Sequence, residues 1–334
     1  MAEIETFAWT SAEPAPPATA AERSAAPYLR SVPRHSSRAR VELICRLLRR
    51  FGRLHLREAV RMPALRERLR RVDQWVFHPP RWARYTPVLI GDVPCDWIET
   101  ASSRSDRVLL YLHGGGFAFH MPRGYRSFAA RLSRALQARV LLVDYRLAPE
   151  HRYPAAPDDA FAVYRGLLDQ GVSPEHVIVA GDSAGGHLTL GLLQRLQREG
   201  LHQPGCAIAL SPITDGTLSG ASMVTQTHAD PLLDPPSLRI LRDLVYPARL
   251  PFDAVASPLH GRLEGLPPTL LVCGTREVLL DDARRYAQRA HAAGSPVALE
   301  VWEDMPHVFP LMAQLSESKA VIEHLARFVD TTLA

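Results

Sequence analysis

Ser183 stands in Gly181-Asp182-Ser183-Ala184-Gly185-Gly186, between the apolar run Val177 to Ala180 and a helical stretch, Gly186 to Glu199. This is G-x-S-x-G in the strand, sharp turn, helix setting of a nucleophile elbow. Small residues flank the serine because side chains at Gly181 or Gly185 would collide with neighbouring backbone. The plainer role for such a serine is a helix N-cap. A second constellation, His113-Gly114-Gly115-Gly116-Phe117, follows the apolar run Val108 to Leu112. A glycine run lets N–H groups point into a cavity unobstructed, which is what an oxyanion demands. Gly114 and Gly115, together with the N–H of Ala184, are the expected donors. His113 belongs to that loop and is expected to orient it rather than act as a base.

A serine hydroxyl needs a histidine to take its proton and a carboxylate to fix the imidazole tautomer. In elbow hydrolases the order along the chain is Ser, acid, His. His307 lies in the loop after the last apolar run, Val297 to Val301, whereas His291 and His324 fall inside helical patterns. The acid should follow the preceding run, Thr269 to Cys273, where Glu277 sits in the loop. Asp281 and Asp282 open the next helix, a usual place for capping carboxylates. Glu277 is the expected acid, with Asp281 and Asp215 as alternatives.

These groups must be held by a scaffold. Val108 to Leu112, Val140 to Val143, Val177 to Ala180, Cys206 to Leu210, Thr269 to Cys273 and Val297 to Val301 read as buried parallel strands. Helical stretches lie between them: Tyr125 to Gln137, Ala155 to Asp169, Gly186 to Glu199 and Asp281 to Ala293, with a last one at Ser318 to Thr331. The alternation implies a mostly parallel sheet with helices on both faces and ligands beyond the carboxyl ends of the strands. Residues 1–35 read as a flexible arm, 36–80 as N-terminal cap helices, and 81–334 as the catalytic domain with a cap insertion at about 217–257. Between Val41 and Val72, Ile44, Leu47, Leu48, Phe51 and Leu54 recur at helical spacing among arginines, predicting an amphipathic helix packed on its own protein.

The chain resembles the hormone-sensitive-lipase family of α/β-hydrolases, in its bacterial carboxylesterase branch. The matching segments are His113 to Phe117, Asp144 to His151, Gly181 to Gly186, Gly274 to Asp282, and His307. The likeness spans about 80–330, and the paired HGGG and GDSAGG motifs are highly specific. It implies the α/β-hydrolase fold, a Ser-acid-His triad, a glycine-motif oxyanion hole and a helical cap. Glu277 departs from the aspartate usual there. Arg146 and Glu150 are expected to be buried and paired below the site.

The function expected is hydrolysis of short- to medium-chain carboxylic esters or lactones through an acyl-enzyme on Ser183. The alternative is a deacetylase or amidase acting on a natural product or small N-acetyl compound. Relatives of this fold that lost a triad member became binding proteins, but here every member has a candidate. No metal or organic cofactor is needed. The net charge of +4 comes almost wholly from arginines spread along the chain, which argues against a nucleic-acid partner. No apolar run is long enough to span a bilayer, and no secretory signal opens the chain. Four scattered cysteines suggest reduced thiols and a cytoplasmic location. Self-association as a homodimer is left open.

Overall fold

Nine strands form one sheet in a computed structural model that describes residues 26–52, 62–246 and 256–333. In chain order they are β1 (Leu29–Val32), β2 (Arg84–Ile90), β3 (Val93–Glu99), β4 (Arg104–Leu112), β5 (Ala138–Val143), β6 (Val177–Asp182), β7 (Cys206–Leu210), β8 (Thr269–Arg276) and β9 (Val297–Pro306). Their spatial order is β1-β9-β8-β7-β6-β4-β5-β3-β2. All neighbours are parallel except β2 with β3 and β3 with β5.

The helices are α1 (Arg38–Leu47), α2 (Met62–Val76), α3 (Pro122–Leu136), α4 (Ala155–Asp169), α5 (Ala184–Arg198), the short α6 (Ser222–Thr225), α7 (Pro235–Val245), α8 (Leu280–Ala292) and α9 (Ser316–Thr332). They cover both faces, and period-two alternation decides which strand residue meets which layer. On β4, Leu109 and Tyr111 pack with Phe128 of α3 and Leu325 of α9, whereas Leu110 and Leu112 pack with Tyr164 of α4 and Leu192 of α5. Both sets are buried because helices lie above and below, which is why β4 reads as a continuous apolar run rather than an alternating one.

Several expectations change at the edges. The segment expected as an arm contains β1, which pairs in parallel with β9 from Leu29↔Leu299 to Val32↔Trp302. Glu317 holds this segment, accepting from the N–H groups of His35 (2.8 Å) and Ser36 (2.6 Å). In place of one N-terminal helix the described residues hold two: α1, which buries Val41 and Cys45 and passes into a π turn at Leu48–Gly52, and α2. Residues 1–25, residues 53–61 of that expected helix and residues 247–255 of the expected insertion lie outside the described residues. The insertion contains α7, started by Asp234, whose side chain accepts from the Ser237 N–H at 2.8 Å.

Register brings the functional turns together. Leu112 pairs with Gly181, so the turns after β4 and β6 leave the sheet side by side. Leu210 pairs with Val272 and Gly274 with Trp302, which sets the ends of β7, β8 and β9 next to them.

Candidate active site

Ser183 caps β6 and precedes α5, with φ 53° and ψ −114°. A non-glycine residue at positive φ stores strain, and here the buried residues on either side of it, Asp182 and Ala184, hold it. The Ser183 N–H donates to Leu210 O at 2.8 Å. A Cβ on Gly185 would run into the carbonyl oxygens of Leu112 and His113, so only glycine lets α5 start this close to β4. The turn thus aims the Ser183 side chain away from the sheet.

His307 follows the last residue of β9 directly, and its Nε2 lies 3.0 Å from Ser183 Oγ. Its Nδ1 lies 3.0 Å from Glu277 Oε2. Glu277, wholly buried just after β8, also accepts on Oε1 from Ser211 Oγ at 2.8 Å and from the Gly274 N–H. Ser211 Oγ in turn accepts from the Val308 N–H at 3.1 Å, tying the acid to the histidine loop. Burial pulls the His307 imidazole toward its neutral form. The hydrogen bond and charge of Glu277, aided by Asp230 and Asp182, overcome that and hold its pKa above the ordinary histidine value.

The structure therefore brings Ser183, His307 and Glu277 into one chain of contacts and leaves the alternatives elsewhere. Asp281 accepts from the Ser222 N–H at 2.8 Å, and Asp215 pairs with Arg285 at 2.8 Å. His291 packs on Tyr28, and His324 Nδ1 meets Glu300 at 2.8 Å.

The glycine loop differs from expectation at one position. The Gly114 N–H is taken, donating to Tyr125 Oη at 2.9 Å and Asp182 Oδ1 at 3.0 Å. It is not available to an oxyanion. The next two glycines, at φ +111° for Gly115 and +59° for Gly116, turn the loop so that among the described residues their N–H groups meet no acceptor. Ala184, the first residue of α5, has an N–H with no intrahelical partner either. Gly116 and Ala184 both line the cavity beside Ser183. The donors the geometry offers are thus Gly115, Gly116 and Ala184.

Asp182 is the anchor that sequence reasoning passed over. Its buried carboxylate accepts from Tyr111 Oη (2.8 Å), Tyr125 Oη (2.9 Å) and Gly114, locking the glycine loop to the nucleophile turn. Burial pushes its pKa up to about 6. Its place between Gly181 and Ser183 was the available signal. Ser211, first residue after β7, was equally visible by position but not by motif.

His113 is buried, its Nδ1 2.7 Å from Gly114 O, and Tyr145 Oη donates to its carbonyl oxygen at 2.7 Å. It stacks on His120 at 4.1 Å between ring centroids and 7° between planes. With Asp144 these two form the one potential metal trio among the described residues. Two parallel imidazoles cannot both hold one ion in their ring planes, so the trio is a loop support.

Arg146 and Glu150 are not buried partners. Each side chain is 49% exposed; Arg146 pairs with Asp159 at 2.6 Å, and Glu150 with Arg66 at 2.8 Å. Arg66, from α2, also donates to Ala118 O at 2.8 Å, so this ion pair ties α2 to the glycine loop.

Over the serine lies a cavity of about 40 Å³ lined by Phe117, His187, Leu241, Tyr246 and others. Leu241 of α7, which lines this cavity, packs with Met62 of α2 and with Ala118 and Phe119 of the glycine loop, so α7 roofs the site and α2 braces it from behind.

A family described as alpha/beta hydrolase fold matches residues 109–311. An acetyl-hydrolase of Streptomyces hygroscopicus is 41% identical over 245 residues, 73% of this chain and 82% of that protein. An esterase of Acinetobacter venetianus is 34% identical over 244 residues, 72% of this chain and 80% of its own. Among solved structures, the esterase EstE5 soaked with ethyl alcohol superposes with a TM-score of 0.84 at 34% identity, over 89% of this chain and 99% of that one. An esterase from the bacterial hormone-sensitive lipase family matches with a TM-score of 0.84 at 33% identity, over 90% of this chain and 100% of that one.

Proposed function

Because the chain belongs to the α/β-hydrolase family, in its bacterial hormone-sensitive-lipase branch, we propose that it is a carboxylic ester hydrolase acting through an acyl-enzyme on Ser183. The observation that carries this is the unbroken contact chain from Ser183 Oγ through His307 to Glu277, each link 3.0 Å. His307 Nε2 takes the serine proton as Oγ attacks the ester carbonyl. Glu277 holds the proton on Nδ1 and stabilises the imidazolium that forms. The amides of Gly115, Gly116 and Ala184 receive the oxyanion, and His307 then protonates the leaving alcohol. Water repeats the sequence to release the acid. The two buried tyrosines on Asp182, Tyr111 and Tyr125, keep the oxyanion loop fixed.

The roof formed by α7, braced by α2, acts as the cap. A cavity of about 40 Å³ suits short acyl groups. Removal of an acetyl group from a larger molecule is a second reading, favoured by this small volume and by the name of the Streptomyces relative. The four cysteines are free and buried, which supports a reducing, cytoplasmic setting. Among the described residues no helix is long and apolar enough to cross a membrane.

The test is turnover of p-nitrophenyl acetate and butyrate, and of p-nitroacetanilide for amides. Ser183→Ala lowers kcat by about 10⁶ if the serine is the nucleophile. Equal turnover by both proteins would end the proposal.

A further inference from the structure

We propose that His187 and Tyr246 form a partition that sets the acyl-chain limit of this enzyme, closing the cavity beside Ser183 against a larger groove behind it; the proposal rests on the ester-hydrolase reading above. The cavity at Ser183 measures about 40 Å³. So small a space suits a short acyl group, and a long chain would need the room beyond its wall. A second cavity of about 560 Å³ has Tyr153, Pro154, Leu188 and Leu192 among its walls. His187 lines both. It is therefore the shared wall, and Tyr246 on the serine side packs against Tyr153 on the groove side at 5.4 Å between centroids.

Hydrogen bonding fixes this wall. His187 Nδ1 lies 3.2 Å from the Ile213 carbonyl oxygen, which can only accept, so Nδ1 carries the proton. Nε2 then has a lone pair, and Tyr246 Oη, 3.2 Å away, donates to it. Burial pushes the imidazole pKa down to about 4, so this tautomer persists at neutral pH. Phe117 meets the same ring edge-on at 5.3 Å and 90°. A side chain bonded at both ring nitrogens and packed by an aromatic edge does not swing aside for a longer chain.

The experiment compares kcat/KM for p-nitrophenyl acetate, butyrate and octanoate in the wild type, His187→Ala, Tyr246→Ala, Tyr246→Phe and Ser183→Ala, with melting temperatures measured alongside. The wild type prefers acetate and butyrate. In His187→Ala and Tyr246→Ala the octanoate-to-acetate ratio rises about ten-fold or more, since single methylenes in an apolar pocket are worth factors of that order. Tyr246→Phe removes the bond to His187 Nε2 but keeps the ring, so it loosens the wall without opening it and raises the ratio by less than either alanine variant. If one alanine variant fails to fold, the other carries the comparison. A folded alanine variant with the wild-type ratio overturns the partition, as does a wild type that already hydrolyses octanoate as fast as acetate. Ester turnover that survives in Ser183→Ala, or is missing from the wild type, strikes at the underlying reading instead.

Discussion

Glu277→Gln tests the mechanism at the atom where it is most specific. In the wild type, Glu277 Oε1 receives two donors, Ser211 Oγ and the Gly274 N–H, while Oε2 faces His307 Nδ1 at 3.0 Å. A glutamine has one oxygen and one NH₂. The two donors on the Oε1 side demand the oxygen, so the NH₂ must face His307. Nδ1 then has to accept, and the ring proton moves to Nε2, pointing at Ser183 Oγ where a lone pair is needed. Such a tautomer error in other serine hydrolases lowers kcat by about 10⁴, which is roughly 5.4 kcal/mol at 1.36 kcal/mol per decade. The assay is kcat on p-nitrophenyl acetate with Asp281→Asn as comparison. Asp281 bonds the Ser222 N–H instead, and its loss should change kcat by less than about ten-fold. The pH profile gives a second reading. Because Glu277 helps hold the His307 pKa above its ordinary value of 6.5, wild-type kcat/KM rises with pH through a midpoint above 6.5, and removing the charge moves that limb to lower pH. Glu277→Gln within ten-fold of wild type, or Asp281→Asn equally damaged, would refute the assignment.

Two further outcomes follow from buried groups around the site. Gly114→Ala places a Cβ 2.9 Å from Tyr125 Oη and against the Asp182 carboxylate; displacing the loop should lower kcat by roughly 10² to 10³ with a smaller change in KM, measured by steady-state kinetics. Asp282 is fully buried, and burial raises its pKa to about 7 from 3.8. A raised acid stabilises the fold fully below its unfolded pKa and loses that contribution as pH rises through the folded one, here between about 4 and 7. Its Oδ1 accepts from the Thr214 and Asp215 N–H groups, while Oδ2 has no partner. Asp282→Asn keeps both bonds and removes the buried charge, so urea unfolding at pH 8 should show a gain on the order of 1 kcal/mol or more and a flatter pH dependence. A loss at pH 8 would contradict this account.

The sheet centre and the three side chains that meet at its edge, Ser183, His307 and Glu277, were legible because both are local signals. Buried runs such as Val177 to Ala180 announce strands on their own, and an elbow serine sits at a fixed offset from its strand. The edges were not legible for the opposite reason. β2 is mostly exposed and carries Pro87, so it shows no period, and β1 gains its identity only from β9. The assignment of Gly114 failed on a contact from a distant element. Nothing near it in the chain says that Tyr125 and Asp182 already claim its N–H. Ser211 is likewise defined by register, since it meets Glu277 only because β7 lies beside β8.

The pairing of β1 with β9 also orders events during synthesis. Leu29 waits for Leu299, 270 residues later, before it has any neighbour in the sheet. As the chain leaves the ribosome, β4 to β8 can associate while that early segment remains unplaced, and loop closure over such a span is slow. The same late strand leads directly into His307. On the proposed mechanism, the strand that admits β1 and the base that follows it are therefore made together, and the triad cannot form before β9 has been made.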